Sequence, residues 1–195
     1  MLSLELFAVV LTLLAVYLTV RQIIWCWPLA MISVVLYGIV FYEVRLYADM
    51  GLQGLYFGLA AYGWWAWTGG GVQHGELAVG LMSGRGRVLL VVAAVLGGIL
   101  LGQTLAHFTS ASLPFADSML TSLSIAAQWM QARKRLESWL LWLAVDVCYA
   151  GMFLYKGLYL TAGLYLVFLV LAAIGFAAWR RSMGGSRIGS PEVPS

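Results

Sequence analysis

From Val88 to Phe108 the chain reads "VLLVVAAVLGGILLGQTLAHF", without a single Asp, Glu, Lys or Arg. At about 1.5 Å per residue a helix of this length crosses the ~30 Å hydrocarbon core of a bilayer. The same template, roughly 17–25 mostly apolar residues, fits the chain seven times, at about residues 3–20, 26–44, 49–68, 88–107, 117–133, 138–155 and 158–180. In lipid the backbone must satisfy its own hydrogen bonds, so runs of this kind are helices. The predicted fold class is therefore an all-α integral membrane protein with seven transmembrane helices. With 63% hydrophobic and 10% charged residues, the chain has too little polar surface to clothe a soluble globule, and no stretch is left over for a soluble domain. The N-terminal "MLSLELFAVVLTLL" lacks a basic leader and a small-residue cleavage site, which predicts a retained first helix.

Charge placement predicts the topology. If the N-terminus lies on one face, that face receives only Arg45 and Lys156, whereas the other receives nine basic residues, among them Arg21, Arg85, Arg87, Arg133, Arg135 and Arg180. The positive-inside rule then places the N-terminus outside and the C-terminus in the cytoplasm. The net charge of +3 is too small to point to nucleic acid. Cys26 and Cys148 lack metal-ligand spacing and are expected to be small buried apolar residues; no cofactor or metal is implied. The tail "RRSMGGSRIGSPEVPS" reads as disordered.

Sliding the chain against itself by 112 residues aligns Arg21–Trp67 with Arg133–Trp179 without a gap, and 16 of the 47 pairs are identical. Trp27 meets Trp139, Tyr37 meets Tyr149, Phe41 meets Phe153, and "LAAYGWWAW" lies over "LAAIGFAAW". Shared hydrophobicity does not explain matched Trp, Tyr and Gly at one fixed offset. The pattern predicts a 3+1+3 arrangement of parallel repeats, SWEET-like in architecture: a first triple-helix bundle (1–68), a loop and linker helix (69–116), a second bundle (117–181) and a tail (182–195). In the linker helix, Gly98 and Gly102 have the small-xxx-small spacing that lets helices approach closely. The "WWAWT" cluster at 64–68 reads as an interfacial belt.

The candidate site lies on the sixth span. Trp139, Trp142, Asp146 and Tyr149 recur at i, i+3, i+7 and i+10 and share one helical stripe. Two rings and one anion on one face suit a flat aromatic cation, which can stack on the indoles while the carboxylate offsets its charge. A carboxylate at membrane depth is a functional-site candidate by default, with a structural partnership to a neighbouring Tyr or Lys as the alternative. On the fifth span Thr121, Ser124 and Gln128, continued by Gln131, form a polar stripe able to bind hydroxyls or an amide. For Thr121 and Ser124, helix–helix hydrogen bonding is an equal alternative. Gln53 and Tyr56, with Asp49 before them, form a shorter stripe on the third span. There is no Walker A loop and no array of intramembrane acids for a proton relay, and His74 and His107 fall in or near loops, so uniport is the simplest coupling.

"WCWPLAMISVVLYGIVFYEVRLYADMGLQGLYFGLAAYGWWAW", together with "AAQWMQARKRLESWLLWLAVDVCYAGMFLYKGLYLTAGLYLVFLVLAAIGFAAW", resembles the Pnu family of bacterial vitamin transporters, over roughly residues 10–181. The resemblance implies a SWEET-like fold with an extra central helix in the bacterial inner membrane and a homotrimer. It also implies facilitated diffusion of a vitamin precursor that a cytoplasmic kinase then phosphorylates and traps. Nicotinamide riboside is the favoured substrate. In members that carry it, the signature Trp-x-x-Trp-x-x-x-Asn ends in an amide, and this chain has Asp146 at that position, which leaves thiamine as the alternative. Both ligands are aromatic cations. An intramembrane enzyme is the reading from another class, but no catalytic dyad at membrane depth supports it; a non-transporting receptor or scaffold subunit is the other.

Overall fold

The computed structural model describes residues 2–43, 45–70, 77–108, 114–155 and 157–185. His74, Lys156, Arg187 and the tail from 186 onward lie outside the described residues. Seven helices are described: α1 (Leu2–Val20), α2 (Cys26–Glu43), α3 (Tyr47–Gly69), α4 (Gly84–Phe108), α5 (Pro114–Ala132), α6 (Glu137–Tyr155) and α7 (Tyr159–Gly185). There is no strand among the described residues, only an isolated parallel bridge between Gly80 and Arg135. The boundaries follow local chemistry. α5 starts earlier than its apolar run because Pro114 suits a first helical position, where no N–H is needed. α7 runs to Gly185, beyond the bundle end expected at 181.

Four helices are individually long and apolar enough to cross a membrane: α2, α4, α6 and α7. The apolar part of α1, Leu4–Val20, is shorter. α3 and α5 fall outside that group because they carry the polar stripes, Asp49, Gln53 and Tyr56 on one and Ser118, Ser124, Gln128 and Gln131 on the other.

Consecutive helices pack as hairpins: α2 lies against α1 and α3, and α6 against α5 and α7. The two triplets meet where α3 packs on α5 and α1 on α7, and α4 packs on α5. That last contact is close because of its glycines: a Cβ on Gly98 would sit 2.9 Å from Met119 Sδ, and one on Gly102 would sit 2.6 Å from Phe115 Cδ1.

Four turns share one construction. Gln22, Arg45, Lys134 and Gly157 take left-handed φ values of 57°, 61°, 48° and 72°. After each, the next amide reaches back to the last helical turn: Ile23 N to Leu18 O, Leu46 N to Phe41 O, Arg135 N to Met130 O and Leu158 N to Phe153 O. These are Schellman closures, and they recur at the 112-residue offset, Gln22 with Lys134 and Arg45 with Gly157.

The core gathers at the end that carries the α1–α2 and α5–α6 turns, around four tryptophans. Trp27 meets Trp67 edge-on at 5.3 Å and 88°, and Trp139 meets Trp179 at 5.4 Å and 90°. Trp27 lies against Gly63 and Trp139 against Gly175, with no room for a Cβ at either glycine. Trp67 and Trp179 touch each other at 5.9 Å, joining the two triplets. Trp64 and Trp65 are exposed, as a belt would be, but Trp67 is 4% exposed and belongs to the core. Cys26 is buried as expected, whereas Cys148 is exposed on the outer face of α6.

Candidate functional site

A cavity of about 960 Å³ runs between the two triplets. Its wall extends from Glu5, Tyr159 and Leu160, all exposed, down to Thr19, Trp27 and Trp139, where the tryptophan core closes it. The closed end is the one flanked by Arg21, Arg133 and Arg180. Among the described lining residues there are two carboxylates, Glu5 at the mouth and Asp146 in the depth, and no Lys or Arg.

Asp146 projects from the middle of α6 into this space and is 4% exposed. Among the described residues it has no hydrogen-bond or ion-pair partner. A buried carboxylate is normally paired, because its desolvation is otherwise uncompensated. An unpaired one on a cavity wall is poised to receive a cation or a donor from whatever fills the cavity. Beside it the aromatic side chains converge: Tyr149 lies 5.0 Å from Tyr165 and 6.0 Å from Phe153, and Phe168 is 5.9 Å from Tyr165. Tyr37 stacks on Phe41 at 6.1 Å and lines the facing wall.

The two tryptophans of the sixth-span stripe part company. Trp142 is partly exposed in the cavity, and its indole Nε1 donates to Gln131 Oε1 at 2.6 Å, which fixes the plane of the ring. Trp139 only touches the cavity floor: it is 1% exposed, wedged between Gly175 and Trp179, and its Nε1 is buried without a partner. Its face is therefore covered by protein, and packing is its visible role. Gln128, Gln53 and Tyr56 line the cavity, and the amides of Gln128 and Gln53 have no protein partner among the described residues, leaving them available to a ligand. Ser124 lines it too, with its hydroxyl donating back to Leu120 O at 2.8 Å. Thr121 stands beside Tyr149 and outside the lining.

Sequence reasoning missed the wall contributed by α1, α2 and α7. There the hydroxyls of Thr12 and Ser33 share a hydrogen bond at 2.6 Å, and the one that accepts in it donates to Ala8 O, which is 3.0 Å from both. The 112-residue offset pointed to part of that wall, since Thr12 corresponds to Ser124 and Tyr37 to Tyr149. Tyr165 corresponds in the same way to Gln53, whereas Ser33, whose counterpart is Val145, had no such signal.

Comparison with known proteins gives four findings. Residues 2–181 match a protein family described as nicotinamide mononucleotide transporter. The nicotinamide riboside transporter PnuC of Escherichia coli is 28% identical over 180 residues, covering 78% of this chain and 74% of PnuC. The riboflavin/roseoflavin transporter RibM of Streptomyces davaonensis is 30% identical over 142 residues, covering 71% of this chain and 66% of RibM. Among solved structures, the crystal structure of the vitamin B3 transporter PnuC superposes with a TM-score of 0.72 at 25% identity, over 93% of this chain and 82% of that one.

Proposed function

The chain belongs to the nicotinamide mononucleotide transporter family and is a membrane transporter, and we propose that it takes up nicotinamide riboside by facilitated diffusion. One observation carries the class of ligand, a flat aromatic cation: an unpartnered, 96% buried carboxylate, Asp146, on the wall of an aromatic-lined cavity; the family match supports nicotinamide riboside within that class. A pyridinium ring fits that wall, stacking on Trp142 with its charge toward Asp146, while Gln128, Gln53, Tyr56, Ser124 and Tyr149 offer hydrogen bonds to the ribose and carboxamide. Trp139 acts from behind, by packing, and Thr121 through its hydroxyl beside Tyr149. The phosphorylated nucleotide in the family's name is disfavoured here, since a phosphate would enter a space lined by carboxylates and by no described cation.

The transport cycle we infer follows from the two triplets. All seven helices span the bacterial inner membrane, with the arginine-rich end in the cytoplasm and the N-terminus outside. α1–α3 and α5–α7 are copies of one unit related by a pseudo-twofold axis along the membrane normal, in a SWEET-like plan with α4 as linker. This reading is supported by the turns and tryptophan–glycine contacts that recur at one offset, and by a reciprocal pair of bonds across the junction: Trp67 Nε1 to Gln131 O and Trp179 Nε1 to Thr19 O. Each bond becomes the other when 112 is exchanged between donor and acceptor. Rocking of the bundles then opens the site alternately to the two sides. A cytoplasmic kinase makes uptake unidirectional, and three copies assemble as a homotrimer.

Thiamine is the second reading, favoured by one residue: Asp146 occupies the position that is Asn in the nicotinamide riboside signature. Titration of the purified protein with nicotinamide riboside, thiamine and riboflavin, followed by tryptophan fluorescence and by uptake into proteoliposomes, tests the assignment. Saturable binding and uptake of nicotinamide riboside is the expected result; binding of none of the three refutes it.

A further inference from the structure

Directly below the cavity, the indoles of Trp67 and Trp179 fill the junction between the triplets. They are 4% and 0% exposed, and their centroids are 5.9 Å apart. Each is tied to the opposite triplet through its N–H, Trp67 to Gln131 O at 3.4 Å and Trp179 to Thr19 O at 3.1 Å. Any rocking that opens the cavity at the arginine-rich end has to separate these rings and break these two bonds. The Trp67 bond is the longer and weaker of the two.

The acceptor for Trp67 belongs to a residue that has a second attachment. Gln131, 5% exposed at the end of α5, offers its main-chain carbonyl to Trp67 and its side-chain oxygen to Trp142 Nε1 at 2.6 Å. Trp142 lines the cavity. The counterpart of Gln131 in the first triplet, Thr19, makes no such link: its hydroxyl turns back to Ala15 O at 2.8 Å. The connection from cavity wall to closed end therefore runs through one triplet only.

Building on the transport cycle above, we propose that Trp67 and Trp179 form the inner gate of the cavity, and that Gln131 is the positioning residue through which Trp142 acts on that gate. A ligand that stacks on Trp142 shifts the indole. The short bond to Gln131 passes the shift to the last turn of α5, and the 3.4 Å bond that holds Trp67 is the first to give way. An empty cavity leaves the ring of Trp142 where it is and the gate latched.

Gln131→Leu tests this, because it removes the acceptor for Trp142 while keeping side-chain bulk and the main-chain carbonyl. The expected result is a maximal rate of nicotinamide riboside uptake into proteoliposomes at least tenfold lower, with dissociation constant within threefold of the parent and melting temperature unchanged. Gln131→Glu, which keeps an oxygen at the same reach, restores most of the rate. A rate unaltered in Gln131→Leu, a dissociation constant that weakens in step with the rate, or a melting temperature that falls in both variants overturns the proposal. A second arm needs no ligand. In a Cys148→Ser background, Cys26, which sits at the closed end of the cavity, reports gate opening to an impermeant thiol reagent applied from the arginine-rich side. Trp67→Phe keeps a ring but loses the N–H donor, and should speed that labelling at least tenfold; an unchanged labelling rate refutes the gate. If the parent protein binds none of the vitamins, the substrate assignment has failed, and the labelling arm still decides the gate.

Discussion

Replacing Asp146 with Asn changes the site with little else. The side chain keeps its size, so no clash is introduced. No described protein group pairs with the carboxylate, so no structural bond is lost. On the proposed function, the interaction removed is the one with a cationic ligand. At about 4 Å and an effective dielectric near 20, two unit charges attract by roughly 4 kcal/mol. Part of that offsets the water both groups surrender, and exchanging a charge-assisted contact for a neutral one leaves a net loss of about 1–3 kcal/mol. The dissociation constant should therefore rise by about 5- to 150-fold, at 1.4 kcal/mol per decade, in a fluorescence titration of the purified variant. The melting temperature should hold or increase, since a buried carboxylate without a partner is a cost to the folded protein. Direction reports substrate identity: if thiamine is the native ligand, the amide should weaken thiamine and improve nicotinamide riboside. An unchanged affinity for every vitamin, or a lower melting temperature, would refute the reasoning, because either shows that Asp146 serves the fold.

Five other substitutions probe the frame, the wall and the topology. Gly175→Ala puts a Cβ 2.6 Å from the Trp139 ring, and overpacking there should cost about 1–3 kcal/mol in thermal denaturation. Arg45→Gly relieves a left-handed residue that is exposed and replaceable; against glycine's greater freedom in the unfolded chain, the variant should gain about 0.5–1 kcal/mol and melt higher. Trp142→Ala should weaken ligand affinity by roughly 1–3 kcal/mol with modest loss of stability, whereas Trp139→Ala should lose about 3–5 kcal/mol of stability; equal binding losses at equal stability would show that both rings stack on ligand. Ser83→Cys should be shielded from impermeant thiol reagents added outside intact cells, and labelling there would reverse the topology.

How much of this was legible in the sequence depended on which physical signal each residue carried. Helix positions followed from length and apolarity, and all seven described helices begin or end within a few residues of the apolar runs. α3 and α5 were harder to delimit for the same reason they matter, since cavity-facing Gln, Ser and Tyr dilute their hydrophobicity. Helical spacing placed Trp139 and Trp142 on one stripe, but spacing along α6 does not say what faces each ring. Trp139 lies level with the notch made by Gly175 of α7, which is tertiary information. Trp67 was hidden among interfacial neighbours for a similar reason: Trp64 and Trp65 look outward, and it takes Trp27 of α2 and Trp179 of α7 to bury the third ring.

The two triplets agree in frame and disagree in chemistry. At the shared offset they repeat the left-handed turns, the tryptophan wedged on glycine, and the tyrosine stacked on phenylalanine. At the cavity positions they differ: Asp146 corresponds to Val34, Trp142 to Ala30, Gln131 to Thr19 and Gln128 to Val16. On the proposed duplication, the shared frame gives both triplets the same tryptophan packing at one end of the bundle, where they meet. The divergent wall has a different consequence. Asp146, the Trp142 ring and the Gln128 amide all come from α5 and α6, so on the proposed function one side of the cavity orients a flat cation, with Gln53 and Tyr56 of α3 adding to its polar wall. A wall duplicated along with the frame would bring a second carboxylate, at position 34, to the depth of Asp146, where each would disfavour the ionisation of the other.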